Sequence, residues 1–331
     1  MASGFGQKAD FLIIVPCIEI DSSLLRNLAR YCYLDLASRA VMVLLPDALA
    51  PEDEMRVRKA APGLNVVIEA TGPVSPPAKR NIGSRLADTP YLAFIDSDAY
   101  PDRAWLRNAL EYLRVEGVGA VGGPNLTPPD SSLAERASGL ILASKIGMGS
   151  LSVRYRRASG LREVEELPSC NLIVKREAFE AVGGFREDIW PGEDSLLCHD
   201  LKSIGYKVVY APDVVVYHYR RPLFRPHLRQ MWRYGFRRGQ LVRMGISRSA
   251  LYFAPSALVI AAALGAILSM VLDVARAAYA MSTVCYLVLC TMATASRNIK
   301  ASALAAPGLA LTHLTYGLGF MVGFLLSGKK E

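Results

Sequence analysis

Residues Ala93–Asp102 read AFIDSDAYPD: the apolar end of a buried strand delivers Asp96 and Asp98 into a turn that Pro101 closes. Two carboxylates at i and i+2 around Ser97 can reach one hard cation, and Mg²⁺ or Mn²⁺ held by one or two carboxylates keeps positions open for phosphate oxygens. The stretch therefore reads as a diphosphate-binding arrangement at the end of a strand. Acidic pairs also solvate turns or cap helices, so the surrounding sequence has to decide.

Outward from that turn, apolar strands alternate with helical patterns over about the first 220 residues, which predicts an α/β domain with a mainly parallel sheet. Strands are expected at Phe11–Val15, Val41–Leu45, Asn65–Ile68, Tyr91–Ile95 and Val118–Val121, and later at Asn171–Val174, Lys207–Tyr210 and Val214–Tyr217. In such sheets ligands gather at the carboxyl ends of the strands, which here carry Pro16 to Glu19, Asp47, and Asp96 with Asp98. Residues 150–166, which include RYRRASG, read as a polar insertion, a mobile loop over the site.

At 331 residues, with 52% apolar composition, the chain is long enough for one large domain plus a membrane region. Runs at 251–272, 277–295 and 303–326 each have the length and apolarity needed to cross a bilayer. Short charged separators divide them, Asp273–Arg276 and Arg297–Ser302. Pro307 and His313, in the last run, read as structural residues. Residues 1–10 are polar and Phe11–Val15 is too short for the apolar core of a signal peptide, so the soluble part is expected to stay in the cytosol. The net charge of +8 comes largely from the Arg-rich stretch before the first span. Its basic residues alternate with Leu, Met, Trp and Phe, which fits an amphipathic helix on anionic lipid headgroups better than nucleic-acid binding. The same cluster places that side of the membrane in the cytosol, against the pull of Lys329 and Lys330 at the far end. The six cysteines show neither C-x-x-C spacing nor a metal pattern, and read as reduced thiols.

Four further motifs follow the chain. In Ala78-Lys79-Arg80-Asn81-Ile82-Gly83, a helix start with Lys79 and Arg80 offers positive charge to a phosphate. Val182-Gly183-Gly184-Phe185 is a turn in which glycine permits positive φ. Pro191-Gly192-Glu193-Asp194 sets two acids at a helix start, and Gln230-x-x-Arg233-Tyr234 follows His218, the end of the last strand. In their order these motifs resemble membrane-bound glycosyltransferases of family two with the GT-A fold, similar to cellulose-synthase-like enzymes and dolichyl-phosphate mannose synthases. The usual Asn-Glu after the opening turn is here Glu19-Ile20, and the usual Gln-x-x-Arg-Trp ends in Tyr234.

The resemblance implies a cytosolic GT-A domain over 1–222, an amphipathic Arg-rich interfacial segment over 223–250, and three transmembrane helices over 251–331. It implies an inverting, metal-dependent transferase that moves a single sugar, mannose or glucose, from a GDP- or UDP-sugar to a polyprenyl or dolichyl phosphate- or diphosphate-linked acceptor in a cell or endoplasmic-reticulum-type membrane. Asp194 is the implied catalytic base. Pro16, Glu19, Asp47, Lys79, Arg80, Asp96, Asp98, Gln230 and Arg233 are implied on the donor side, and Gly184, Glu193, Trp232 and Tyr234 on the acceptor side. Asp96, Asp98 and His218 are the implied ligands of Mn²⁺ or Mg²⁺. A processive polysaccharide synthase is the alternative within this class, and a silent sugar-nucleotide-binding scaffold the alternative outside it.

Overall fold

The structure is a computed structural model and describes residues 9–36, 39–246 and 249–326. Lys329 and Lys330, whose side of the membrane the charge pattern addresses, lie outside the described residues, as do Ser247 and Arg248 of the basic stretch. The chain begins β1 (Phe11–Pro16), α1 (Ser22–Tyr31), β2 (Ala40–Leu45), α2 (Asp53–Ala60), β3 (Asn65–Ile68), α3 (Pro76–Ser84), β4 (Tyr91–Phe94), β5 (Ala99–Pro101), α4 (Trp105–Leu113), β6 (Val118–Gly122) and β7 (Asn125–Leu126). It continues α5 (Leu133–Ala143), α6 (Lys145–Met148), β8 (Arg162–Glu163), β9 (Leu172–Lys175), α7 (Arg176–Ala181), α8 (Glu193–Ser203), β10 (Lys207–Tyr210) and β11 (Val216–His218). Four longer helices end it: α9 (Arg225–Arg243), α10 (Ala254–Ser269), α11 (Asp273–Ala293) and α12 (Ile299–Leu326).

Two compact units result. The first joins Met1–Leu126 to Arg156–His218, and the second joins Thr127–Tyr155 to Tyr219–Glu331. The division is discontinuous, where the sequence reading sets one boundary at 222.

In the first unit eight strands form a sheet in the order β3-β2-β1-β4-β9-β6-β10-β8. Strands β3, β2, β1 and β4 run parallel, whereas β9 lies antiparallel to β4 and β6, and β8 to β10. Every residue of β1 (FLIIVP) and β2 (AVMVLL) is buried, the continuous apolar reading expected of strands covered on both faces. The order reverses at β1, with β2 and β3 on one side and β4 on the other, which opens a crevice at their carboxyl ends. A second sheet, β5-β11-β7, sets His218 opposite Ala99. Tyr100 stacks on Tyr217 at 5.1 Å between ring centroids, and the Arg30 guanidinium lies 3.7 Å over the Tyr100 ring.

The expected loop at 150–166 carries regular structure over part of its length. Gly149–Tyr155 is a 3₁₀ helix and β8 adds an edge strand to the large sheet. The backbone of Ala158 donates to the Tyr210 hydroxyl at 3.1 Å, and Lys202 pairs with Glu165 at 2.7 Å.

In the second unit three helical stretches, Ala250–Ser269, Asp273–Ala293 and Ile299–Leu326, are long and apolar enough to cross a membrane. Asp273–Arg276 is no loop. It forms the first turn of α11, where Asp273 meets the positive end of the helix and pairs with Arg276 at 3.0 Å. Pro307 sits inside α12, which begins at Ile299. The Arg-rich stretch forms one helix, α9, whose buried stripe is His227, Met231, Gly235, Gly239 and Leu241. A side chain at Gly235 or Gly239 would collide with the carbonyls of Tyr316 and Phe320, and one at Gly319 or Gly323 with those of Trp232 and Phe236. Two glycine pairs at four-residue spacing thus bring the backbones of α9 and α12 into contact.

The same helices share a buried polar link. Thr312 Oγ1 donates to the Gly308 carbonyl at 2.8 Å, so His227 Nε2 donates to Thr312 at 2.9 Å and Nδ1 accepts from Ser138 at 2.8 Å. Burial pushes His227 down to about 4. His313 is held likewise, with Nδ1 accepting from Tyr286 at 2.7 Å and Nε2 donating to the Ile146 carbonyl at 2.9 Å.

Replacing Gly323 with valine is expected to destabilise the chain by about 1–3 kcal/mol, the usual cost of overpacking. Thermal melting of the detergent-solubilised chain reads this, against Val284→Leu on the exposed face of α11 as an unchanged control. A second prediction concerns His227. It stays neutral when folded but takes a proton when unfolded below about pH 6.5. The unfolded chain then binds more protons, so stability is expected to fall as pH drops from about 6.5 towards 4, with a shallower fall in His227→Gln.

Candidate active site

The turn after β4 is built before any ligand arrives. Ala99 N–H donates to the Asp96 carbonyl at 3.1 Å, and the side chain of Asn27, buried on α1, donates to the Ser97 carbonyl at 3.1 Å. This leaves the side chains of Asp96 and Asp98 partly open, at 31% and 27% exposure. The small sheet brings His218 to them: its Nε2 lies 3.0 Å from Asp98 Oδ1, and one donor atom from each of Asp96, Asp98 and His218 falls within 4.8 Å of the others. Two hard oxygens and a borderline nitrogen at that spacing fit a divalent ion of the Mn²⁺ type. Burial pulls the His218 pKa down, but the charge of Asp98, together with Cys170 and the hydrogen bonds to both, more than offsets it and lifts it to about 10.

Helix α3 supplies the next layer through three consecutive side chains. It lies close on the sheet because Gly83 has no Cβ, which would come within 2.8 Å of Ile14 and Leu45. Lys79, buried, donates to the carbonyls of Cys17 and Leu45 and pairs with Asp47. Its ammonium thus joins the ends of β1 and β2 rather than pointing free. Arg80, also buried, donates from Nη2 to Asp96 and from Nη1 to Glu193, each at 2.8 Å. Burial alone would depress the guanidinium, but Asp96 and Glu193 more than offset it and its pKa is raised. Asn81 clamps the double-glycine turn: it donates to the Phe185 carbonyl at 2.9 Å and to Glu187 at 2.8 Å, and accepts from Phe185 N–H at 2.9 Å. Gly184 in that turn has φ +79°, and a side chain there would strike Asn81 and Phe179.

Helix α8 starts at Gly192, whose φ of 113° lets the chain turn sharply into it. Glu193 is buried, with Oε2 accepting from Gly192 N–H at 3.0 Å. Burial first, then the charge of Asp194, push Glu193 up to about 7 against the pull of Arg80. Asp194 is partly open, with Oδ1 accepting from Ser195 N–H at 2.8 Å and Oδ2 from Ser169 N–H at 3.4 Å. Both oxygens are thereby oriented by backbone donors.

The first unit therefore brings together Asp47, Lys79, Arg80, Asp96, Asp98, Glu193, Asp194 and His218 by direct or shared contacts. Pro16 is buried at the end of β1 beside Leu45, and Glu19 is exposed two residues beyond Cys17. Gln230, Trp232, Arg233 and Tyr234 lie on α9 in the second unit, where Gln230 donates to the Tyr234 hydroxyl at 3.0 Å and Trp232 and Arg233 are exposed. Sequence reasoning gave no role to Asn27, Asn81 or Asn171. Asn171 is fully buried, accepting from Trp105 at 2.8 Å and donating to the Val214 carbonyl at 2.8 Å. Asn27 had one legible signal, a polar residue in the buried stripe Leu24, Asn27, Leu28, Tyr31.

Comparison with known proteins points one way. The family model described as Glycosyl transferase family group 2 matches residues 91–296, more than half of the chain. The pre-mycofactocin glycosyltransferase of Mycobacterium tuberculosis is 32% identical over 162 residues, 48% of this chain and 33% of that protein. Glycosyltransferase AglE of Haloferax volcanii is 28% identical over 176 residues, 53% of each chain. The match thus spans between a third and about half of these curated relatives. Among solved structures, the mannosyltransferase PcManGT of Pyrobaculum calidifontis, in complex with GDP-Man and Mn²⁺, shares the fold with a TM-score of 0.58 and 22% identity, covering 98% of this chain and 89% of that one.

Substituting His218 with alanine, or Asn27 with leucine, is expected to weaken Mn²⁺ binding at least about tenfold, the scale on which lost ligands and their supports act. Titration of free Mn²⁺ by electron paramagnetic resonance on the purified full chain measures it, with Glu111→Gln, at an exposed position of α4, as the unaffected control.

Proposed function

The chain belongs to glycosyl transferase family group 2, and on that premise we propose that it is an inverting glycosyltransferase. In this reading it carries one sugar from a nucleotide-sugar donor to a polyprenyl- or dolichyl-linked phosphate or diphosphate acceptor held in a membrane. The observation that carries the reading is one buried arginine joining a metal-capable triad to a carboxylate pair: Asp96, beside Asp98 and His218, shares Arg80 with Glu193, the neighbour of Asp194.

Each residue has a chemical task. Asp194 takes the proton of an acceptor hydroxyl as its oxygen attacks the anomeric carbon on the face opposite the departing diphosphate. The backbone N–H groups of Ser195 and Ser169 hold that carboxylate in one orientation. Asp96, Asp98 and His218 would hold the divalent ion, which supplies positive charge for the leaving diphosphate. Asp47, oriented by Lys79, stands at the β2 end to accept from the N–H groups of a nucleobase or the hydroxyls of a ribose. Pro16 and Glu19 line the neighbouring β1 end, and Gly184 with Glu193 shape the acceptor side.

The membrane half of the proposal rests on composition and on the second unit. Three helices of spanning length follow α9, which carries an Arg-rich exposed face with Trp232 at 39% exposure. That combination suits a helix at headgroup level on the cytosolic side of a membrane. GDP-mannose, the donor bound in the archaeal mannosyltransferase, is the first to test, with UDP-sugars beside it.

The deciding assay incubates the purified chain with Mn²⁺ or Mg²⁺, a panel of GDP- and UDP-sugars, and polyprenyl phosphate or diphosphate-saccharide acceptors, and reads products by mass. A single added sugar is expected, with inverted anomeric configuration by NMR. Asp194→Asn should lower kcat at least about a hundredfold, since positioned bases contribute that much or more. Turnover undiminished in Asp194→Asn would remove it as the base.

A further inference from the structure

We infer that Arg80 is a positioning residue which locks the donor-side and acceptor-side carboxylates into one geometry, rather than a cation that binds the donor diphosphate. The inference rests on the functional reading above, because it assigns Asp96 and Glu193 to the two sides of the same transfer.

The geometry leaves Arg80 little freedom for anything else. Its side chain is 4% exposed, and its two terminal nitrogens point to different elements, Nη2 to Asp96 after β4 and Nη1 to Glu193 at the start of α8. A guanidinium is a rigid planar fork, so fixing one arm on Asp96 fixes where Glu193 must stand. The Phe185 ring lies 5.5 Å from the guanidinium carbon, and the turn that carries Phe185 is clamped by the next residue, Asn81. Glu193 does not hold Arg80 loosely, for it is itself tied through Oε2 to the Gly192 N–H.

The effect reaches Asp194 through the backbone. Glu193 and Asp194 are the first two residues of α8, and the bond from Gly192 N–H to Glu193 tightens the turn from which that helix starts. Releasing Glu193 from Arg80 therefore loosens the helix end that aims Asp194. Releasing Asp96 loosens one ligand of the metal-capable triad. Loss of Arg80 is felt on both sides although Arg80 need touch neither substrate. Lysine cannot replace it, since one ammonium on a flexible stem does not present two coplanar donors.

The test uses the full chain in detergent with Arg80→Lys and Arg80→Met, alone and with Glu193→Gln, and reads three quantities. Binding of GDP and UDP with chelator present is expected to stay within about twofold of wild type, because no diphosphate contact is lost. Mn²⁺ affinity is expected to fall about tenfold in both variants, and kcat at least about thirtyfold, with Arg80→Lys rescuing little. In the Glu193→Gln background, where the charge pairing on the acceptor side is already lost, adding Arg80→Met should lower kcat by a clearly smaller factor than it does in wild type, the remainder coming from the release of Asp96. A tenfold or larger loss of metal-free GDP or UDP binding would overturn the inference, as would wild-type kcat and Mn²⁺ affinity in Arg80→Lys, or full additivity with Glu193→Gln. Should Arg80→Met fail to fold by thermal melting, Arg80→Lys keeps the buried charge and carries the test. If wild type binds Mn²⁺ but turns over no donor, the functional reading fails, and the Mn²⁺ measurements alone decide whether Arg80 positions Asp96.

Discussion

A buried guanidinium held between two carboxylates is a demanding arrangement, because removing the guanidinium leaves two carboxylates side by side with no counter-charge. Arg80, Asp96 and Glu193 form such a set, and much of the first unit serves to bring them together. Helix α3 delivers Arg80 by lying against β1 and β2, where Gly83 allows the close approach. Strand β4 delivers Asp96, and the turn at Gly192 delivers Glu193. Lys79 and Asn81, the neighbours of Arg80, leave the helix about 100° away on either side, so one turn of α3 reaches the β1 and β2 ends, the acidic turn and the double-glycine turn.

The second unit is governed by a different constraint. There close backbone contact and interhelical hydrogen bonds join the helices. Gly235 and Gly239 facing Gly319 and Gly323 provide the first. His227 between Ser138 and Thr312, and His313 between Tyr286 and the Ile146 carbonyl, provide the second. These bonds explain why Thr127–Tyr155, far from the three long helices in sequence, is one body with them.

Most strands were legible from apolar runs. The expected β-strands over Phe11–Val15, Asn65–Ile68 and Lys207–Tyr210 match the observed elements closely: Phe11–Val15 is buried throughout and announces itself by its apolar run, while the part-exposed Asn65–Ile68 and Lys207–Tyr210, exposed at its first residue, do so by their β-branched residues. The direction of β9 was not legible, because a run such as LIVK reads the same in a parallel or an antiparallel place. Asp96 with Asp98, and the Glu193-Asp194 pair, stood out as polar residues where apolar strands and helix starts end. Asn27, Asn81 and Asn171 did not, as a buried amide is recognisable only by the distant groups it joins. The four-residue glycine spacing on α9 and α12 was visible in the chain, yet its meaning needed the two helices side by side.

The sequence by itself determined the class of fold, the family, the acidic motifs and the presence of three spanning-length helices, because each depends on residue type and local spacing. Only the tertiary structure decided what the cations do. From the sequence, Lys79 and Arg80 at a helix start look free to meet phosphate. In the fold each is buried against carboxylates and carbonyls supplied by other elements. A charged side chain taken out of water binds whatever acceptors the fold places beside it, and those partners lie up to 113 residues away along the chain.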